Sequence, residues 1–484
     1  MKKNFILLLL LATLFSQAFG QDKVSQPKRP NILWIVANDI SPDLACYGNK
    51  LVSTPNLDKL ASEGALYKNM ITVGAVCSPS RSGLITGMYS VSINCQNQFP
   101  KNKTTLPTGI VPVTDYFKKA GYYVTNTGGT KMTGPYYTGY NFVHDGKEMY
   151  DGFDWRGKGK DQPFFAQVHL TYSHRPFKSD SSKPIDPDKV VVPPYYPNHP
   201  VSRKDWALYL ETIQLLDEQV GEILERLEKD GLAENTVVFF FGDHGQPHVR
   251  GKQFLYEGGI NTPLIIRWPG NIKAGIKSDR LISNIDLSAT SLHIAGIKIP
   301  AYIQGTDFLD KNSKERPYAF AARDRCDETL DKIRAVRTKD FKYIRNFFPE
   351  RPYTQFNAYK KYDYPVLTLM QVLNKKGVLN ADQAKFMAAT RPAEELYDLK
   401  KDPFEMHNLV NDKAYQTRLK ELRGQMDHWL ATADKGTYPE DAEEVSYAQE
   451  LMKAKFKTEM EKKGLDPGIS DEAYLDYWEK RLVK

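Results

Sequence analysis

The hydrophobic pattern of the chain switches repeatedly between two periods. Continuous apolar runs at 31–37 (NILWIVA), 122–126, 163–170 (PFFAQVHL), 236–241 (TVVFFF) and 264–268 predict strands buried on both faces. Between them lie segments with apolar residues at helical spacing. Thr54 and Pro55 form an N-cap and first-turn pair ahead of Leu57, Leu60 and Ala61. The clearest helix covers 204–229, where Leu210, Ile213, Leu216, Val220, Ile223, Leu224 and Leu227 share one face and Gly231 supplies a stop. This alternation predicts an α/β sandwich with a large, mainly parallel or mixed sheet between helices. In such sheets the ligand site lies beyond the carboxyl ends of the strands. The residues just after each run are therefore the candidates for chemistry.

The pattern changes near residue 315. Short strands are predicted within 333–347 and at 395–399, followed by a helix at 411–430 packed by Leu419, Leu422, Met426 and Trp429. We expect a catalytic domain over 21–315, a smaller α+β domain over 316–430, and a charged, helical extension draped over the surface at 431–484. The Pro-, Ser- and Tyr-rich stretch 179–200 is expected to be a long surface loop.

Composition is that of an ordinary globular chain, and 484 residues are enough for more than one domain. The first twenty residues depart from it. Lys2 and Lys3 precede an apolar run at 5–15, and Ala18-Phe19-Gly20 offers small residues for cleavage. Residues 1–20 read as a signal peptide removed before Gln21, so the protein is expected to be exported, to the periplasm or, as the alternative, by secretion. No other run approaches the roughly 20 apolar residues that span a bilayer, so no membrane span is expected. Removing Lys2 and Lys3 lowers the formal net charge from +7 to +5. That excess suits an anionic substrate and makes no case for nucleic acid, since no basic tract is interleaved with aromatics. Export permits disulfides, but spacing alone does not pair Cys46, Cys77, Cys95 and Cys326.

Candidate chemistry follows the strands. Asn38 and Asp39 end the first run, and Asp243 and His244 end the fourth. Oxygen-rich groups converging from two strand ends suit a hard divalent cation such as Ca²⁺, although an Asn-Asp pair alone is more often a turn. His174 follows the third run, and a histidine can donate a proton near neutral pH. Lys131 lies in Gly128-Gly129-Thr130-Lys131-Met132-Thr133, and Lys252 in Gly251-Lys252-Gln253-Phe254-Leu255-Tyr256-Glu257-Gly258-Gly259. Cys77 opens Cys77-Ser78-Pro79-Ser80-Arg81, ahead of Thr86-Gly87. Pro79 suits a first helical turn, whose free N–H groups would face an anion.

Taken in order over about residues 29–430, these motifs resemble the type I, formylglycine-dependent sulfatases of the alkaline-phosphatase-like superfamily. The resemblance implies that a maturation enzyme oxidises Cys77 to formylglycine, whose hydrate attacks sulfur and then releases sulfate. It implies that Arg81 neutralises and orients this nucleophile, that Lys131 and His174 meet the leaving-group oxygen, and that Lys252 clamps a sulfate oxygen. It implies one Ca²⁺ per chain, held by Asn38, Asp39, Cys77, Asp243 and His244. Two departures stand out: Asn38 where the family often has aspartate, and Thr133 where many relatives have histidine. The segment from Glu395 to Leu409 matches the family's C-terminal strand and turn, with a structural role. The implied substrate is a sulfated oligosaccharide from an algal glycan such as ulvan or from a glycosaminoglycan. A phosphodiesterase or phosphonate monoester hydrolase of the same superfamily is the alternative, and a non-catalytic glycan-binding relative is a third reading. Tyr136, Tyr137, Tyr140, Tyr195 and Tyr196 are placed either to stack on sugar rings or to pack loops onto the core. Arg175, Arg323 and Arg325 are candidate contacts to a uronate or a second sulfate.

Overall fold

The computed structural model describes residues 29–483; the signal-peptide reading at 1–20 lies outside the described residues. Strands β1 (Asn31–Ala37), β2 (Ala65–Ile71), β3 (Tyr123–Gly128), β4 (Phe164–Leu170), β5 (Thr236–Gly242), β6 (Asn261–Arg267) and β7 (Ile276–Ser283) form one seven-stranded sheet. Their order is β3-β4-β1-β5-β6-β2-β7. β3, β4, β1 and β5 run parallel, and β6 is antiparallel to both β5 and β2, so the sheet is mixed. β1 explains the layering. Leu33 and Ile35 pack with Leu57, Leu60, Leu210 and Ile213, from helices Pro55–Ser62 and Pro200–Lys229. Ile32, Trp34 and Val36 point to the other face, where Leu84, Phe117 and Leu287 come from helices Cys77–Thr86, Val113–Lys119 and Asp286–Ile294. Successive side chains of a strand alternate between faces, so an unbroken apolar run feeds both layers.

A second, antiparallel sheet contains β8 (Ala319–Arg323), β9 (Ile333–Arg337), β10 (Phe341–Asn346) and β11 (Glu394–Asp398), in the order β11-β10-β9-β8. The helix Gln416–Thr432 covers it, with Leu419, Leu422, Met426 and Trp429 packed on Val336, Tyr343 and Leu396. The two sheets are joined directly: the Ala322 N–H donates to Val73 O at 3.0 Å. Between β10 and β11 the chain adds helices Ala358–Asp363 and Pro365–Lys375, which the hydrophobic pattern did not announce.

The stretch 179–200 is a long, largely exposed loop, as expected, but it is anchored. Glu211 accepts bonds from Ser179 Oγ and from the N–H groups of Asp180 and Ile185, and Tyr195 and Tyr196 are buried. The extension after residue 431 is helical at Ala442–Lys462 and Asp471–Leu482, but it is not merely draped. Met460, Tyr474 and Trp478 are buried, and Tyr474 OH donates to Tyr362 O at 2.9 Å. Charged residues on the outward faces masked this inner stripe. Because Trp478 is only 6 % exposed, Trp478→Ala should lower the unfolding free energy by about 3–5 kcal/mol. A urea midpoint equal to that of the parent would contradict the packed role of this helix.

Candidate active site

β1 and β5 are neighbours, and they end side by side. Beyond Ala37 the chain turns through Asp39, a left-handed residue with φ 50°. Aspartate tolerates that conformation better than most side chains. The turn brings the Asp39 N–H to Asp243 Oδ1 at 2.9 Å, and the His244 N–H donates to the same oxygen at 2.9 Å. Asp243 Oδ2 accepts from Arg81 Nε at 2.9 Å and from Arg81 Nη2 at 2.7 Å. Asp243 thereby ties both strand ends to the helix Cys77–Thr86. Gly245 is needed here because a Cβ would fall 2.2 Å from Gly258 O, and its N–H donates to Gly259 O at 2.9 Å. That contact seats the Gly251–Gly259 loop, and Lys252 with it, against the strand ends.

Cys77 Sγ lies 3.2 Å from His244 Nε2, 3.8 Å from Lys252 Nζ and 3.9 Å from Asp39 Oδ1. Lys252 Nζ donates to Asp39 Oδ2 at 2.7 Å, and His244 Nε2 is 3.0 Å from Asp39 Oδ1. All of these groups are buried. Burial disfavours the Asp39 carboxylate, but Lys252, His244 and His174 hold its pKa well below the usual range. Burial likewise opposes the His244 imidazolium, yet Asp243 and Asp39 lift it to about 10. Burial also works against the Lys252 ammonium, and Asp39, Cys77 and Tyr364 together more than offset it. Without a metal, the two carboxylates are thus balanced by a lysine, an arginine and a proton on His244. A dication would take the place of that proton.

One donor atom from each of Asp39, Cys77, Asp243 and His244 lies within 4.8 Å of every other. That spread fits a single ion with ligands at about 2.3–2.6 Å. Asn38 is placed differently from the expectation. Its Oδ1 accepts from Arg81 Nη2 at 2.8 Å, and its Nδ2 donates to Tyr136 OH at 3.0 Å. It lines the same cleft as Cys77 and Arg81.

His174 closes one side, with Nε2 3.4 Å from Lys252 Nζ and 3.9 Å from Asp39 Oδ2. Its Nδ1 faces Arg175 O at 2.6 Å. A carbonyl only accepts, so the proton is assigned to Nδ1, and Nε2 is left as an acceptor toward Lys252. Burial pushes His174 below its ordinary value despite Asp39.

Lys131 is not part of this group. After β3 the chain doubles back along the edge strand, with Thr127 Oγ1 donating to Gly134 O. The Lys131 carbonyl accepts from Arg226 at 3.4 Å, and Arg226 lies over Trp155, whose ring stacks on Phe164 at the start of β4. Lys131 and Thr133 are exposed in this loop. The helix amides also differ from expectation. The Ser78 N–H is taken by Gln98 Oε1 at 3.2 Å, the Ser80 N–H by Val76 O at 3.2 Å, and Pro79 has none. Arg175, Arg323 and Arg325 are buried in ion pairs with Asp205, Asp331 and Glu440, so their charges are committed within the protein.

The group opens into a cleft of about 430 Å³ whose walls include Phe99, Tyr136, Tyr137, Tyr172, His174 and Lys178. Two contributors were not legible in the sequence. Gln98 reaches the start of the Cys77 helix from a loop without a motif. Tyr359 sits beneath Lys252 at 5.2 Å, from a helix more than a hundred residues later.

Comparison with known proteins agrees with this geometry. The sequence model of the sulfatase family matches residues 30–297, and that of the C-terminal part of N-sulphoglucosamine sulphohydrolase matches 242–364. An ulvan-active sulfatase of Formosa agariphila is 38 % identical over 472 residues, covering 86 % of this chain and 77 % of the relative. Among solved structures, an enzyme bound to its substrate D-glucosamine-2-N,6-O-disulfate superposes with a TM-score of 0.60 at 20 % identity, over 85 % of this chain and 100 % of that one. A phosphonate monoester hydrolase from Silicibacter pomeroyi also gives 0.60, at 18 % identity, over 84 % and 96 %. These two likenesses speak to the fold alone. The family match over more than half the chain, with the 38 % identical relative, shows that this chain belongs to the sulfatase family of sulfuric ester hydrolases.

Proposed function

We propose that this enzyme removes sulfate esters from a sulfated polysaccharide, with ulvan or a glycosaminoglycan as the substrate class, after residue 77 has been converted to formylglycine. The observation that carries the reading is the convergence of Cys77, Lys252, His174, Arg81 and the Asp39–Asp243–His244 donors on one cleft floor. The ulvan-active relative supports the glycan class. The Lys2–Lys3 pair and the apolar run behind it support export to the periplasm.

A hydrated aldehyde at position 77 supplies one hydroxyl to attack sulfur and a second to expel the sulfate, a release route that serine lacks. Asp39, Asp243 and His244, with position 77 as the fourth donor, would hold a Ca²⁺ that draws charge from a bound sulfate oxygen. Lys252 sets a fixed ammonium beside the reacting atoms, where developing negative charge is stabilised without reorganisation. Arg81 is locked by Asp243 and Asn38 and completes the positive floor. His174 Nε2 lies 3.4 Å from Lys252 Nζ at the side of the cleft, placed to meet the departing sugar oxygen.

The test is a panel of sulfated ulvan and glycosaminoglycan oligosaccharides, with phosphodiester and phosphonate monoester controls, incubated with matured enzyme. Sulfate release is expected from at least one sulfated sugar. Phosphonate or phosphodiester cleavage without sulfate release would overturn the reading. Cys77→Ala should abolish sulfate release while leaving the thermal midpoint close to that of the parent. Lys252→Ala should lower kcat by roughly 10²–10³-fold, the range seen when one stabilising donor is removed; a change below threefold would contradict its role. Elemental analysis should find one calcium per chain, and stripping it should lower both activity and the thermal midpoint, reversibly on adding Ca²⁺. Undiminished activity in metal-free protein would contradict the metal assignment.

A further inference from the structure

Two exposed aromatic rings stand on the cleft wall. Tyr137 is 67 % exposed and Phe99 43 % exposed, unusual values for large apolar rings, and both line the cleft that Cys77 opens into. They converge on one point. A Cβ built on Gly139 would lie 3.4 Å from Ser78 Oγ, 3.7 Å from the Tyr137 ring and 3.8 Å from the Phe99 ring. Gly139 has φ +69°, a conformation that suits glycine, and its missing side chain leaves the space between the rings and Ser78 open.

Phe99 is also held there against its own preference. Its φ of 47° is a left-handed conformation that is rare for a bulky side chain. The preceding residue fixes it. The Gln98 N–H donates to Arg325 O at 3.0 Å, Gln98 O accepts from Arg325 Nη1 at 3.1 Å, and Gln98 Oε1 caps the Ser78 N–H. Arg325 is anchored in turn by Glu440 at 2.7 Å. The exposed ring is therefore positioned by the same residue that holds the start of the Cys77 helix.

We propose that Phe99 and Tyr137 form a stacking platform for the pyranose ring of the sulfated sugar, making them specificity-determining residues for the reaction. This rests on the glycan reading above. A pyranose presents an apolar C–H face, and aromatic rings bind such a face while leaving the ester oxygen free to point at the cleft floor. Tyr136 does not share this role: its ring stacks on His169 at 4.3 Å and its hydroxyl is bonded to Asn38. Tyr140, Tyr195 and Tyr196 are buried and equally unavailable.

The experiment measures KM for a sulfated oligosaccharide and the inhibition constant of inorganic sulfate, in the parent, Tyr137→Ala, Phe99→Ala and Tyr137→Phe. Each alanine variant should raise KM on the order of tenfold, the equivalent of one lost stacking contact. The inhibition constant of sulfate should stay at the parent value, and Tyr137→Phe should resemble the parent because the ring and not the hydroxyl makes the contact. Unchanged KM in both alanine variants would overturn the proposal. So would a matching rise in the sulfate inhibition constant, which would assign the rings to the shape of the floor, or an equal loss in Tyr137→Phe. If the parent turns over no sulfated oligosaccharide, the glycan reading falls and the platform with it; equal KM in an active parent and its variants overturns the platform alone.

Discussion

The carboxylate of Asp243 is the contact on which the rest of the site depends. One oxygen accepts the N–H groups of Asp39 and His244, and the other accepts two nitrogens of Arg81. Three charge-bearing residues are thereby placed by one buried side chain. Such an anion is costly to bury unless it is fully hydrogen-bonded and paired. Here two backbone amides and a guanidinium meet that cost, and the pairing fixes the distance between strand ends and nucleophile helix. Lys252 does the same for Asp39 from the opposite side. The result is a floor whose charges are set before substrate arrives, which is the condition for electrostatic stabilisation without reorganisation.

The surrounding fold serves that floor. The parallel strands β1 and β5 deliver Asp39 and Asp243 at the same level because they pair in register, Ala37 opposite Gly242. The second sheet reaches it through Ala322 and Val73, just ahead of Cys77. The helix Ala358–Asp363 brings Tyr359 under Lys252 and beside His174. The last helices then brace that inserted helix through Tyr474 and Tyr362. Residues far apart in the chain thus hold one cleft wall.

Much of this was legible from local pattern. Runs such as NILWIVA and TVVFFF are buried on both faces, so burial alone identifies them, and four of the five predicted strands fall within about two residues of their positions. β2 and β7 escaped because Lys68 and Asn69 interrupt one and four polar residues open the other. Cys77, Arg81, Asp39, Asp243, His244, His174 and Lys252 come together because their motifs sit at strand ends and helix starts, where topology forces convergence. Lys131 lies in a loop after an edge strand, where the carbonyl accepts from Arg226, a contact that no local pattern reveals. The aromatic residues show the same limit. Tyr137 and Tyr195 look alike in sequence, and only tertiary packing makes one exposed and the other buried.

The central claim is that residue 77 works as an aldehyde in this charged floor. The most direct measurement is the mass of the peptide carrying residue 77, taken from enzyme purified in active form from its native host. The account predicts a peptide lighter than the cysteine form that reacts with a hydrazide probe. An unmodified thiol at residue 77 in fully active enzyme would contradict it.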